Sequence, residues 1–200
     1  GCTSTIIYQM YQEKDIKIAK ETAGILCAAI ISDTLMFRSP TCTPIDRAAA
    51  EELANIAGID IEILAKNMFQ AGSDFNRKTP EEIFYQDFKR FTAGKVSFGV
   101  GQISSLNEQE IESLKERLLS YITEAHKHQR GVDMMFFMLT NILDESTMLI
   151  CEGTGAKKMI LSAFHIEDDG KDGRSSVVKL PGVVSRKKQL IPAIGMALQA

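Results

Sequence analysis

The 200-residue sequence lacks a strong excess of charge of either sign. It has 26 acidic and 23 basic residues, which gives a formal net charge of −3. Proteins that coat nucleic acid through bulk charge are strongly basic, so the composition argues against that class, and any anion site must be local. With 44% hydrophobic and 24% charged residues, the composition is typical of a globular protein and excludes disorder, collagen-like repeats and a disulfide scaffold.

Long apolar runs and closely spaced cysteines are also missing. The longest small and apolar stretch covers residues 23–31, which is too short to cross a bilayer, so we expect no membrane contact. No signal-like cleavage pattern opens the chain. The cysteines show no C-x-x-C spacing: Cys2, Cys27, Cys42 and Cys151. Two disulfides are numerically possible, but packed, reduced thiols in a cytoplasmic protein fit the pattern better.

Familiar motifs of catalysis and nucleotide binding are absent. Neither G-x-x-x-x-G-K-[ST] nor G-x-G-x-x-G occurs, and no Ser/His/Asp set has a recognisable spacing. His126 and His128 lie two positions apart, so a helix points them in different directions. Both are predicted to be surface residues, as is His165. The sequence therefore assigns no catalytic residue by motif.

The first seventy residues favour helices. Ile6, Ile7 and Met10 fall on one face of a helix that begins near Thr3. A second helix, 18–33, is apolar on all sides through its centre, which predicts that it is buried.

Cap signals mark two more helices in this half. Thr43 and Pro44 start the third, Gly58 ends it, and Asp60 caps a fourth that ends near Gly72. We interpret residues 1–72 as the helical side of a domain whose strands lie before residue 1.

The pattern changes after a polar, turn-rich linker at 73–80. A capping box at Thr79 and Glu82 starts a short helix. Strands and helices then mix, which predicts an α/β domain over 81–200. The predicted strands are 96–100, 134–143, 147–151, 176–180 and 182–184. The predicted helices are 107–128, 157–164 and a terminal helix capped by Ser185, with a loop at 168–173.

Three cations follow Ser185. Arg186, Lys187 and Lys188 occupy the first turn of the terminal helix, where the helix dipole disfavours each positive charge by about 0.3–1 kcal/mol. A bound anion would reverse this effect, because exposed N–H groups and the side chains would all point at it. The alternative is a solvated basic corner. The pattern alone does not distinguish phosphate from carboxylate as the anion.

Two further positions carry candidate chemistry. Asp33 ends the buried second helix, where the dipole opposes its charge and desolvation adds to the cost, so it needs a cation nearby. Arg38 is the simpler partner, and a metal ion is the alternative. Lys89 lies between Phe88 and Phe91, which would anchor the segment, so it either faces a cleft or extends along the surface.

Four stretches are distinctive in combination: GCTSTII at 1–7, ISDTL at 31–35, FRSPTCT at 37–43 and VVSRKKQ at 183–189. In these stretches the sequence resembles the family II inorganic pyrophosphatases, the manganese- or cobalt-dependent members of the DHH phosphoesterase superfamily. The resemblance runs along the whole chain. Its two strongest motifs, around Asp33 and Arg186, fall in different predicted domains.

The resemblance implies an α/β fold in two parts. Residues 1–72 would be the helical remainder of a DHH domain and 73–80 a flexible linker. Residues 81–200 would be a mixed-sheet DHH-associated C-terminal domain, which closes over the substrate.

The same resemblance implies a function and a site. Pyrophosphate would be hydrolysed to two phosphates by water activated on two metal ions, with Mn²⁺ or Co²⁺ in the cluster and additional Mg²⁺. Asp33 would bind metal, whereas Lys89, Arg186 and Lys187 would bind pyrophosphate. The complete enzyme would be a cytoplasmic homodimer that binds neither nucleic acid nor membrane.

The sequence departs from this family in one respect. The family's upstream His/Asp motifs, D-H-H among them, do not occur in it. We therefore interpret the chain as a C-terminal portion and expect no activity from it alone, because one carboxylate cannot hold two metal ions. Two alternatives stay open: a phosphoesterase of the same superfamily acting on polyphosphate or short oligonucleotides, and a non-catalytic binding or dimerisation module.

Overall fold

The computed structural model describes residues 1–72, 75–128, 131–167 and 176–199. It divides the chain into two units, Gly1–Gly72 and Ser73–Ala200. Residues 73–74, where the predicted linker starts, and the loop predicted at 168–173 lie outside the described residues. Each unit has its own hydrophobic core.

Helices build the first unit: α1 (Thr3–Glu13), α2 (Lys20–Asp33), α3 (Pro44–Ala57) and α4 (Ile61–Gly72). Helix α2 packs against the other three. Its buried side includes Ala23, Cys27 and Ile30, which lie in one core with Ala50 of α3. Small side chains at such contacts let helix axes approach closely. The predicted burial of α2 holds for this side of the helix and not for the side of Ile25, which is 71% exposed.

Local signals set the ends of α3 and the start of α4. Thr43 accepts a hydrogen bond from the Asp46 N–H, and the Asp46 carboxylate accepts one from the Thr43 N–H, which completes a capping box. Gly58 ends α3 in the left-handed region, at φ 68°. Asp60 Oδ1 accepts from the Ile63 N–H at 2.9 Å. These predicted starts and stops are confirmed.

Helix α1 does not pack through its apolar side. Ile6 is 58% exposed, whereas Thr5 and Tyr8 are buried. The Thr5 hydroxyl donates to the Asp46 carboxylate at 2.6 Å, and the Tyr8 hydroxyl donates to Glu52. These polar contacts with α3 orient the helix, so the apolar pattern predicted the wrong side.

A five-stranded mixed sheet forms the centre of the second unit. Its strands are β1 (Phe88–Ala93), β2 (Val96–Ser105), β3 (Met134–Asn141), β4 (Ser146–Glu152) and β5 (Val177–Pro181). They lie in the order β1-β2-β3-β4-β5, and only the β2–β3 pair is parallel among them. Parallel neighbours need a long crossover connection, which the predicted long helix supplies.

Helices cover both faces of this sheet. The crossover helix α6 (Glu108–His128) buries Ile111, Leu114, Leu118 and Ile122 on one face, as its spacing predicts. On the other face lie α7 (Ala156–Ala163), the π-helical turn Arg186–Leu190 and α8 (Ile191–Ala197). The short helix α5 (Pro80–Tyr85) begins with the predicted Thr79–Glu82 capping box. Strand β3 is central and buried, as its apolar run predicts.

Two strand predictions differ from the structure. Residues 182–184 form a loop, because side chains rather than a neighbouring strand bond their carbonyls. Thr147 Oγ1 donates to Val183 O at 2.6 Å, and Gln102 Nε2 donates to Val184 O at 3.0 Å. The sequence did not predict β1, whose two consecutive charged residues interrupt the apolar pattern.

The described part of the predicted linker packs against the second unit. Phe75 is buried within a short 3₁₀ turn, and Arg117 of α6 donates to Phe75 O at 3.1 Å and to Lys78 O at 2.6 Å. Among the described residues, no helix combines the length and apolar character needed to span a membrane.

Candidate functional site

Arg186 is a buried cation at the start of the terminal helical segment. Its side chain is 9% exposed. Nη1 donates to Asp87 O at 2.7 Å and to Val100 O at 3.2 Å, and Nη2 donates to Asp87 Oδ1 at 2.9 Å. These acceptors lie just before β1 and within β2, so the guanidinium is fixed against that edge of the sheet.

Lys89 shares the same carboxylate oxygen. Its Nζ lies 3.9 Å from Asp87 Oδ1, and its side chain is 63% exposed. Side chains alternate along a strand, so Lys89 shares the face of Phe91, which packs with the core around α7 and α8. The structure thus brings Lys89 and Arg186 together around Asp87, which is 45% exposed.

A polar network holds the loop that leads into Arg186. The Gln189 side-chain oxygen accepts from the Val184 and Ser185 N–H groups, both at 2.9 Å, and its Nε2 donates to Gly182 O at 2.6 Å. From the sheet side, Thr147 and Gln102 bond the carbonyls of this loop. The backbone before Arg186 is therefore tied to both the sheet and the following turn.

The start of the terminal segment differs from the expected helix terminus. Residues 186–190 form a π-helical turn before α8 begins. Gln189 occupies the Val184 and Ser185 N–H groups, and Ser185 Oγ accepts from the Lys188 N–H at 3.2 Å. The N–H groups of Val184, Ser185 and Lys188 therefore already have acceptors. No hydrogen bond among the described residues uses the Arg186 or Lys187 N–H, so the expected row of exposed N–H groups is reduced to these two.

The next two cations extend outward. Lys187 and Lys188 are exposed, and no carboxylate in the described part of the chain pairs with either. Lys187 follows Arg186 directly in the sequence, and its side chain is open to solvent, whereas that of Arg186 is buried. Of the three consecutive cations at 186–188, the first is therefore fixed and the other two are exposed.

Asp33 is exposed at the end of α2, in the first unit. The expectation that it is partly desolvated is therefore wrong. The chain turns sharply after it, because Leu35, Met36 and Phe37 all have positive φ values, of 48°, 53° and 67°. Buried Thr34 supports this turn: its hydroxyl donates to Ile30 O at 2.7 Å and accepts from the Phe37 N–H at 3.2 Å.

The described residues contain no group of three or more His, Cys, Asp or Glu side chains that fits a metal ion. Asp33 supplies a single exposed carboxylate and belongs to no such group. By themselves, the described residues therefore do not form a metal site.

The cysteines do not add a reactive group. All four are free thiols: Cys2, Cys27, Cys42 and Cys151. This confirms the prediction of reduced cysteines. Burial raises the pKa of the Cys27, Cys42 and Cys151 thiols, so they are protonated at neutral pH and poor nucleophiles.

A groove of about 590 Å³ lies elsewhere in the second unit. Tyr85, Arg90 and Tyr121 are among its lining residues. Arg90 points to the opposite face of β1 from Lys89, because neighbouring side chains on a strand alternate. This groove is thus separate from the group around Arg186.

Sequence reasoning missed Asp87 and Gln189 as site residues. A signal for Asp87 was present: residues two apart in an extended chain lie on one side, which places Asp87 beside Lys89. Gln189 gave no such signal, because its bonds depend on the π-helical turn.

The sequence is similar to known proteins along its whole length. Residues 66–197 match the model of the DHHA2 domain. The chain is 39% identical, over its full length, to a probable manganese-dependent inorganic pyrophosphatase of Clostridium acetobutylicum and covers 62% of that protein. It is 38% identical, over 99% of its length, to the manganese-dependent inorganic pyrophosphatase of Bacillus subtilis, again covering 62%.

Two further relatives extend the comparison. A cobalt-dependent inorganic pyrophosphatase of Clostridium perfringens is 40% identical over 97% of this chain, which covers 34% of that protein. The crystal structure of a putative family II inorganic pyrophosphatase from Methanococcus jannaschii superposes with a TM-score of 0.82 at 35% identity, over 99% of this chain and 65% of that one.

The chain thus spans about three fifths of the length of the manganese-dependent relatives that it matches. The family II pyrophosphatase proteins are its homologues, and the mixed α/β fold is theirs, so the predicted resemblance is confirmed. Because the matching domain covers most of the sequence, this chain belongs to the DHHA2 domain family.

Proposed function

We propose that this chain supplies the substrate-binding cations of an enzyme that hydrolyses inorganic pyrophosphate to two phosphates. The observation that carries the proposal is the fixed guanidinium of Arg186 beside Lys89, with both around Asp87. A guanidinium held in place before the substrate arrives loses little freedom on binding a phosphate. The names of the homologous pyrophosphatases support the same substrate.

Each cation has a distinct task in this proposal. Arg186 orients one phosphate through its N–H groups, because a guanidinium matches phosphate geometry. Lys89 and Lys187, which are exposed, add charge that neutralises the bound anion and the phosphate that leaves. The water molecule adds across the P–O–P bridge, and both products are phosphates.

Asp33 is proposed as one carboxylate ligand of the metal cluster. The relatives named manganese-dependent and cobalt-dependent support Mn²⁺ or Co²⁺, and an additional Mg²⁺ is part of the proposal. When bound, such ions lower the pKa of water and neutralise substrate charge. Because a single carboxylate cannot hold a metal cluster, we expect no hydrolysis by the 200-residue chain alone.

The remaining assignments are proposals on the same basis. Residues 1–72 would be the end of a DHH domain and 81–200 a substrate-binding domain, joined by a linker that lets the second part open and close. The complete enzyme, meaning this chain with the further length that its relatives have, would be a homodimer. Reduced cysteines support a cytoplasmic location.

The test is pyrophosphate hydrolysis by the complete enzyme carrying Arg186→Ala. We expect kcat/KM to fall about 100-fold or more, as for loss of a preorganised charge-stabilising donor. Lys95→Ala is the matched control, because Lys95 is an exposed cation in the turn beyond the far end of β1. Equal activity of the Arg186→Ala and wild-type enzymes would overturn the proposal. A substrate panel with polyphosphate and short oligonucleotides separates the alternative activities.

A further inference from the structure

Asp87 sits among the proposed substrate cations although it carries the opposite charge. Its carboxylate is half-exposed and lies just before β1. A carboxylate at this place opposes the binding of any anion, so its presence calls for a compensating role.

The contacts of Arg186 indicate what that role is. Asp87 provides two of its three acceptors, the backbone oxygen at 2.7 Å and Oδ1 at 2.9 Å, and Val100 O provides the third. The two bonds from one residue reach different nitrogens of the guanidinium. Two contacts to separate nitrogens fix the plane of the group as well as its position.

The same contacts leave some N–H donors of the Arg186 guanidinium unused. A guanidinium has five N–H groups, and these three bonds use both hydrogens of Nη1 and one of Nη2. Within the described ranges, no acceptor lies against Nε or the second Nη2 hydrogen. No fully buried side-chain nitrogen in these ranges lacks a hydrogen-bond partner, so the Nε atom is open to solvent. Nε and Nη2 therefore keep two donors for an incoming oxyanion.

Asp87 also contacts the second cation. Its Oδ1, which accepts from Arg186, lies 3.9 Å from Lys89 Nζ. The carboxylate thus separates two like charges that would otherwise repel each other. It bonds the guanidinium and attracts the ammonium group before substrate binding.

We propose that Asp87 is a positioning residue, which orients the Arg186 guanidinium so that its Nε and Nη2 donors meet a phosphate and which holds Lys89 beside it. This inference rests on the proposed function for the identity of the anion. The orientation of Arg186 can be measured without any substrate, so the two can fail separately.

The first test measures rotation of the Arg186 side chain by ¹⁵N NMR in the 200-residue chain, with Arg186→Lys used to assign its signals. Rotation about the Cζ–Nε bond exchanges Nη1 and Nη2, and restraining hydrogen bonds slow that exchange. We expect separate Nη signals in the wild type and at least about tenfold faster exchange in Asp87→Ala, since a hydrogen bond between charged groups is lost. Asp87→Asn, which keeps the side-chain oxygen acceptor, should restore slow exchange.

The second test measures KM and kcat for pyrophosphate in the complete enzyme. We expect Asp87→Ala to raise KM about tenfold, and Asp87→Asn to leave KM equal to or lower than the wild-type value, because it keeps the acceptor and removes the opposing charge. Asp144→Ala is the control, because Asp144 is an exposed carboxylate in the β3–β4 turn.

The outcomes separate the two ideas. Unchanged exchange in Asp87→Ala, or equally fast exchange in Asp87→Asn, overturns the positioning role whatever the enzyme does. Slow exchange restored by Asp87→Asn without any hydrolysis of pyrophosphate by the complete wild-type enzyme supports the positioning role and overturns the proposed function. An unchanged KM in Asp87→Ala shows that the orientation does not serve pyrophosphate.

Discussion

Each unit of the molecule contains a buried charged side chain, and the two are used in opposite ways. In the first unit, the Asp46 carboxylate is fully buried and accepts four hydrogen bonds, two on each oxygen. In the second unit, Arg186 is anchored by Asp87 and Val100 yet retains donors. A saturated charge serves the fold, whereas an anchored but unsaturated charge is suited to a ligand.

The partners of the two charges explain this difference. Asp46 accepts from neutral groups of Cys2, Thr5 and Thr43, which join the chain entering α1 to the start of α3. Arg186 has a half-exposed anion and a neighbouring cation around it. Burial alone would have ranked Asp46 as the stronger functional candidate, and the hydrogen-bond inventory reverses that ranking.

The largest expected effect is on the stability of the first unit. We expect Asp46→Ala to lower its free energy of unfolding by roughly 3 kcal/mol or more, because the buried Cys2 N–H and Thr5 hydroxyl each lose an acceptor at about 1–3 kcal/mol. Native-state hydrogen exchange at α2 and α3 amides measures this. Asp60→Ala removes an exposed cap and should cost only about 1 kcal/mol. Equal losses in the two variants would show that Asp46 is not the anchor.

The stability of the first unit at low pH tests the role of Asp46 in a second way. Burial raises the pKa of Asp46, but the hydrogen bonds from Cys2, Thr5 and Thr43 lower it by more, so the net pKa lies well below its usual range. A depressed folded-state pKa gives stability that is full above the unfolded value of about 3.9 and is lost as the pH falls below it. We expect the first unit to lose stability below about pH 4. Asp46→Asn should weaken this pH dependence, and an unchanged acid profile would contradict the assignment.

A smaller effect is expected from the network behind Arg186. Gln189→Ala removes the acceptor of two N–H groups and the donor to Gly182 O, which loosens the loop before the cations. We expect KM for pyrophosphate to rise about tenfold in the complete enzyme, with a smaller change in kcat. Gln199→Ala, at an exposed position near the end of α8, is the control. A lower kcat at constant KM would point away from substrate positioning.

Sequence predicted the parts of the fold that depend on neighbouring residues. The helix start at Thr43, the capping box at Thr79 and the helix end at Gly58 follow from local chemistry, and the structure contains all three. The buried stripe of α6 follows from its apolar spacing. Features set by distant residues were missed: the packing side of α1 depends on Asp46, and the loop at 182–184 depends on Gln102 and Thr147.

The candidate site divides along the same line. The cation cluster at 186–188 and the lysine at 89 stand out in the sequence, but the contact between Arg186 and Asp87 joins residues 99 positions apart. Desolvation of Asp33 was predicted because the residue ends an apolar helix, whereas its actual exposure depends on how the chain turns after that helix. Residue type was predictable there, and environment was not.

The most direct test of the account is a crystal structure of the complete enzyme with imidodiphosphate, a non-hydrolysable pyrophosphate analogue. The account predicts phosphate oxygens about 2.7–3.2 Å from Nε and Nη2 of Arg186, with Lys89 and Lys187 around the same anion and Asp87 still bonded to the guanidinium. An analogue bound elsewhere, with Arg186 held only by Asp87 and Val100, would contradict it.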